Sequence, residues 1–180
     1  MALTLISTHT ASADASIDIT SGITSTYDSY EFHCVNMHPA TNDEGFAFQV
    51  NASDDTGGGF DTSLITSTFF RAKHHESGAT GLDYTADYDQ AQAAGYQRLC
   101  NDVGNEDNES VSGVLTLYAP SSVTYVKHFT SRMNENHALD ISMDNFVAGY
   151  INTQLAIPEI SFKFTSGAIQ AGTIKMFGVS

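Results

Sequence analysis

Ile160-Ser161-Phe162-Lys163-Phe164, a turn at Ser166-Gly167, then Gly172-Thr173-Ile174-Lys175-Met176-Phe177-Gly178-Val179-Ser180: this closing stretch decides the fold class. Ile160, Phe162 and Phe164 fall on one side of an extended chain, and Ser161, Lys163 and Thr165 on the other. Ile174 and Met176 alternate in the same way with Thr173, Lys175 and Phe177. A period of two marks strands with one face on a core and one toward water. The pattern predicts a hairpin whose second strand runs to the chain end. Leu3-Thr4-Leu5-Ile6-Ser7 is already strand-like near the start, so both ends are expected to be tied into sheet.

Working inward, the same rhythm recurs. Residues 15–20 alternate and stop at Ser21-Gly22, and Tyr30, Phe32 and Cys34 share a face within 30–35. Residues 37–44 carry turn chemistry, with His38-Pro39 and Asn42-Asp43. Phe46, Phe48 and Val50 align in the clearest internal strand. Further strands are expected over 64–73, 95–100, 111–118, 125–130 and most of 138–151, with a bulge at 143–145 and a turn at 134–136. Between them lie a glycine-rich loop over 54–59, a long loop over 74–88 with a helical turn near 87–90, and an acidic loop over 101–110. Eight to ten short strands without helical periodicity predict an all-β, antiparallel β-sandwich, jelly-roll-like, as one domain over 1–180.

Composition agrees. A chain of 180 residues is long enough to hide roughly 70% of its unfolded surface. Tryptophan is absent, and 11 Phe with 8 Tyr supply the bulk of a core between sheets. Seven basic residues against 21 acidic ones give a formal charge of −14. That balance repels a phosphate backbone and argues against nucleic-acid binding. No apolar run approaches the roughly 20 residues of a membrane span, and no secretory leader is legible. Folding in a cytoplasm is therefore expected, with Cys34 and Cys100 reduced and buried.

Candidate chemistry is sparse. In His74-His75-Glu76 the two imidazoles would diverge on a strand, and nothing local completes a tetrahedron. The run from Asp102 to Glu109 is rich in hard oxygen ligands, but its spacing departs from a calcium loop at Gly104 and at the twelfth position. Asp54, Asp55 and Asp61, around the glycine run, read the same way; both stretches are solvated acidic loops on this reading, with calcium as the alternative. No Gly-x-Ser-x-Gly elbow frames a serine, and His33 beside Cys34 would face away from it. Tyr27, Tyr84, Tyr88, Tyr96 and Tyr150 are of the kind that stack on sugars, although packing is the commoner role of such residues. No catalytic, cofactor-binding or metal residue is assigned, and no enzyme activity is expected.

Leu3-Thr4-Leu5-Ile6-Ser7-Thr8, Ala15-Ser16-Ile17-Asp18-Ile19, Ser25-Thr26-Tyr27-Asp28-Ser29-Tyr30-Glu31-Phe32, His38-Pro39-Ala40-Thr41-Asn42-Asp43 and the closing Gly172-Thr173-Ile174-Lys175-Met176-Phe177-Gly178 resemble small virion structural proteins of marine tailed bacteriophages. Residues 54–92 carry no part of the likeness. The resemblance implies a jelly-roll-like module of the virion, assembled in the host cytoplasm. Its implied role is a capsid decoration (cement) protein that stabilises the head, docked as a homotrimer on the major capsid protein. The alternative is a receptor-binding fibre or tail module that recognises a host-surface carbohydrate.

Overall fold

The computed structural model describes residues 2–52, 59–60 and 63–180. It is an all-β fold of two antiparallel sheets. Its elements are β1 (Leu3–Asp14), β2 (Ile17–Ile19), β3 (Ser29–Pro39), β4 (Phe46–Asn51), β5 (Ile65–His75), β6 (Thr80–Tyr84), a 3-10 turn (Ala86–Tyr88), β7 (Ala91–Ala93), β8 (Gln97–Arg98), β9 (Val111–Tyr118), β10 (Lys127–His137), β11 (Ile141–Ile151), β12 (Glu159–Phe164) and β13 (Ile169–Val179). The large sheet runs β1-β13-β3-β9-β10-β11-β5-β6 and curls into a half-barrel, with β7 beside β5. The small sheet, β2-β12-β4-β8, closes over its inner face.

The core lies where the alternation places it. Phe46, Phe48, Phe162, Phe164, Ile174 and Met176 are all buried. Phe32 meets Phe162 across the sheets at 5.5 Å, and Phe48 meets Phe129 edge-on at 5.0 Å. Tilted and edge-to-face pairs of this kind add to the burial of the rings. Cys34 and Cys100 are buried in the same core as free thiols, and burial raises the pKa of both.

The expected closing hairpin is absent. β12 pairs with β2 and β4, whereas β13 pairs with β1 and β3, so the 165–168 connection switches sheets. Alternation identifies the buried face of a strand but not its neighbour, and these two strands belong to different sheets. The 134–136 turn is also wrong: these residues lie within β10, flanked by β9 and β11. Pairing on both sides outweighs the local turn preference of Asn-Glu-Asn. The β10–β11 register is unbroken through 143–145, so no bulge sits there. Residues 74–88 contain β6 as well as the 3-10 turn, and are not one long loop. β3 extends to Pro39, through residues read as turn.

Irregularities fall instead in the β1–β13, β3–β9 and β5–β7 pairings and, most of all, where β3 meets β13. The register shifts there twice, beside Asn36 at φ 49° and Gly172 at φ 127°. A Cβ on Gly172 would come within 2.8 Å of the Asn36 carbonyl oxygen, so backbone angle and space both demand glycine. The far face of the small sheet is covered too, for all six residues of β4 are buried. Gln49 Nε2 donates to the carbonyls of Ser63, Ala94 and Gly95 at 2.9–3.1 Å, tying an overlying segment to the sheet. Ser161, expected to face water, is buried and donates to Asp18 Oδ1 at 2.6 Å.

Candidate functional site

Inward positions of β10 alternate through Lys127, Phe129, Ser131, Met133, Glu135 and His137, every one buried. The polar members at the far end meet groups from three other segments. Isolated backbone bridges link Glu44 to Val103 and Val103 to His137, drawing the 42–44 turn, the 101–104 loop and the end of β10 together. Asp43, Asp102 and His137 then place one potential ligand atom each within 4.8 Å of one another. Asp43 and Asp102 both hold left-handed backbone angles, at φ 68° and 49°. Asp and Asn tolerate that region better than most residues do.

The hydrogen bonds at His137 define what this cluster does. His137 Nδ1 accepts the Leu139 N–H at 3.1 Å. In the neutral ring the proton therefore sits on Nε2, which faces Asp102 Oδ2 at 3.5 Å. A metal on Nε2 would require the opposite tautomer, with Nδ1 donating. The imidazole instead anchors the 138–140 turn to the acidic loop, helped by the Ala138 N–H donating to the Asp102 carbonyl. Sequence reasoning did not connect these three residues, because they lie far apart in the chain and no local spacing signals their meeting.

Glu135, one residue of the same strand face away, is buried at 1% exposure. Its Oε2 accepts the Asn101 N–H at 3.0 Å, while Oε1 has no partner among the described residues. Burial pushes its carboxyl up to about 8, with the Asp102 charge adding to the effect. The Cys100 thiol, the Asn101 N–H and Asn145 oppose it.

The other sequence candidates scatter. His74 and His75 lie in register with Ser142 and Ile141 respectively, on opposite faces of the sheet as expected. Glu109, the end of the acidic run, folds back and accepts the Glu106 N–H at 2.7 Å. Its carboxylate lies over Gly104, where a Cβ would be 2.0 Å from Oε2. That carboxylate braces its own loop. Asp54, Asp55 and Asp61 lie outside the described residues. His33 bonds to Glu31 at 2.8 Å and faces away from the buried Cys34.

The tyrosines form no common platform. Tyr27 packs edge-on against Tyr30, Tyr88 against Phe69, and Tyr150 against His128. Tyr96 lies beneath the Lys163 ammonium at 4.0 Å. Tyr84 is exposed and donates to Asp89. The outer face of the large sheet instead carries a shallow polar groove. One part, about 370 Å³, lies at the ends of β5 and β10 and is lined by His74, His75, Glu76, Asn134, Glu135, Asn136, Asp140 and Ser142. An adjoining part of about 300 Å³ shares Asn134 and adds Ser112, Arg132 and Asp144.

β1 is a long strand that is mostly exposed. Among the described residues it pairs only with β13, at the end of the large sheet. Ala11 is its one buried residue, and Leu3 and Leu5 are 51% and 54% exposed. Comparison with family models, curated proteins and solved structures finds no match to this chain. No helix among the described residues is long and apolar enough to cross a membrane.

Proposed function

We propose that this chain is a structural module of a phage particle, a decoration protein that docks on the assembled head lattice and stabilises it without catalysing a reaction. The observation that supports this reading best is the β1 edge. The twelve residues of the strand, about 40 Å long, have no strand partner on their outer side among the described residues. Proteins that remain alone blunt such an edge with charged residues, proline, bulges or a covering segment, and of these β1 has a register shift at Leu5/Ser7 and Asp14 at its end. β1 contains neither lysine nor proline, and its exposed Leu3 and Leu5 suit burial against another chain. The resemblance of both chain ends to virion proteins points the same way, and a trimer on the major capsid protein is the arrangement it implies. A protein that binds only the assembled lattice stabilises it by mass action.

The experiment is removal of the protein from particles by deletion or stripping. Heads are expected to assemble and package DNA but to burst at lower temperature or under milder osmotic shock. Full head stability with lost adsorption to the host would replace this reading with the receptor-binding one. The groove on the large sheet favours that second reading, since its amide, hydroxyl and carboxylate groups are those that bond sugar hydroxyls. Binding of the purified protein to a host glycan, lost on Asn134→Ala, would support it.

A further inference from the structure

Arg71 projects from β5 in register with Asn145 on β11 and Asp83 on β6. Its Nε and Nη1 are shielded from solvent and have no hydrogen-bond partner among the described residues. Acidic residues outnumber basic ones by 21 to 7, so a carboxylate partner is the default for any arginine here. Lys73 takes Asp83 at 2.6 Å and Arg132 takes Asp144 at 2.7 Å. Neither Arg71 nor Arg98 forms an ion pair among the described residues; Arg98 donates only to the Asn101 amide oxygen, at 3.2 Å. A guanidinium cannot shed its charge, and buried N–H donors without acceptors are costly. Arg71 therefore has bonds to make that the protein itself does not supply.

The surroundings suit an anion. The Asn145 Oδ1, in the register position beside Arg71, is also buried without a partner among the described residues, while its Nδ2 donates to the Met133 carbonyl at 3.4 Å. Tyr88 stands edge-on to Phe69, two residues before Arg71, with ring centroids 5.4 Å apart. The Arg98 guanidinium lies 4.7 Å above the Tyr88 ring. Arg71 and Arg98 both act on the Tyr88 hydroxyl, opposing the Asp102 carboxylate there, and Arg71 also acts on Asp83, so the two cations share one region with two carboxylates. Arg71 as a whole is only half-buried, leaving a path from solvent.

We propose that Arg71, with Arg98 and Tyr88 beside it, is a binding site for a compact oxyanion, a carboxylate or a phosphate. The site is independent of the virion reading. Its energy comes from charge-assisted bonds to the shielded Nε and Nη1 of Arg71, and such bonds are about twice as strong as neutral ones.

The test is thermal unfolding of the whole protein in acetate, phosphate or chloride at one ionic strength. With acetate or phosphate at about 100 times its Kd, Tm is expected to rise by about 5–10 °C over chloride. Arg71→Met should abolish the rise, whereas Arg132→Met, at an arginine already paired with Asp144, should keep it. Whichever of the planar and tetrahedral anions gives the larger rise identifies the ligand class. On the unaltered protein, the Arg71 Nε–H resonance should titrate saturably with the same anion. That measurement covers the case in which the Arg71 variant fails to fold. Equal Tm in all three salts with an unmoved resonance, or an undiminished rise in Arg71→Met, would overturn the proposal.

Discussion

Glu135 holds a proton that an exposed glutamate would release. Its carboxyl is pushed from about 4.5 up to about 8, chiefly because burial disfavours the charged form. Below pH 4.5 the folded and unfolded chains both carry this proton, and Glu135 contributes no pH dependence. Between 4.5 and 8 the unfolded chain releases it while the folded chain holds it, so stability falls as pH rises through that window. Glu135→Gln removes the penalty. The variant is expected to gain on the parent across this range, by up to several kcal/mol, as read from urea midpoints at stepped pH. A constant difference would show that the carboxyl titrates normally. Phe48 is the matching test of packing, since its ring spans the sheets to Phe129. Phe48→Ala should cost about 3–5 kcal/mol in denaturant unfolding, from lost transfer energy and the residual cavity.

β1 carries two half-exposed leucines, Leu3 and Leu5, on an otherwise largely polar strand. Its alternation is visible in Leu3, Leu5 and Ser7, yet structure places almost the whole strand outside the core. Hydrophobic periodicity revealed that it was a strand; only the sheet order revealed that it was an edge. Leu3→Lys with Leu5→Lys should leave the melting temperature within a few degrees of the parent, because these side chains are half exposed. The same change should abolish any self-association measured by sedimentation, since lysines on an edge oppose strand addition. Intact association in the variant would move the interface elsewhere. β10 carries the opposite lesson. Asn134-Glu135-Asn136 has turn chemistry, but continuous registers with β9 and β11 hold it extended.

Across the whole molecule a formal charge of −14 works against compactness. Few cations are available to offset it, and two of the three arginines have no carboxylate partner among the described residues. Neutral salt screens this repulsion, with a Debye length of about 30 Å at 0.01 M falling to about 10 Å at 0.1 M. Melting temperature is therefore expected to rise between these concentrations of sodium chloride, most steeply at the low end. A flat or falling curve would show that local pairs outweigh the net field. Docking to a capsid, on the proposed reading, should follow the opposite trend if basic lattice surfaces attract the chain, and weaken as salt rises.

Fold class, the strand faces and the aromatic core were legible in sequence, because a period of two is a local property of the chain that burial enforces directly. Phe46, Phe48, Phe162, Phe164, Ile174 and Met176 are buried as that rule requires. The divergence of His74 and His75 followed from the same pleat. Partners were not legible. Whether β12 and β13 lie side by side or apart depends on competition among all strands, and each found longer pairings in a different sheet. The candidate sites belong to that second category. Asp43, Asp102 and His137 converge through backbone bridges between distant segments, and the unpaired state of Arg71 exists only once its neighbours are in place. Local sequence sets which side of a strand meets the core; the long-range registers decide which polar groups are left there together.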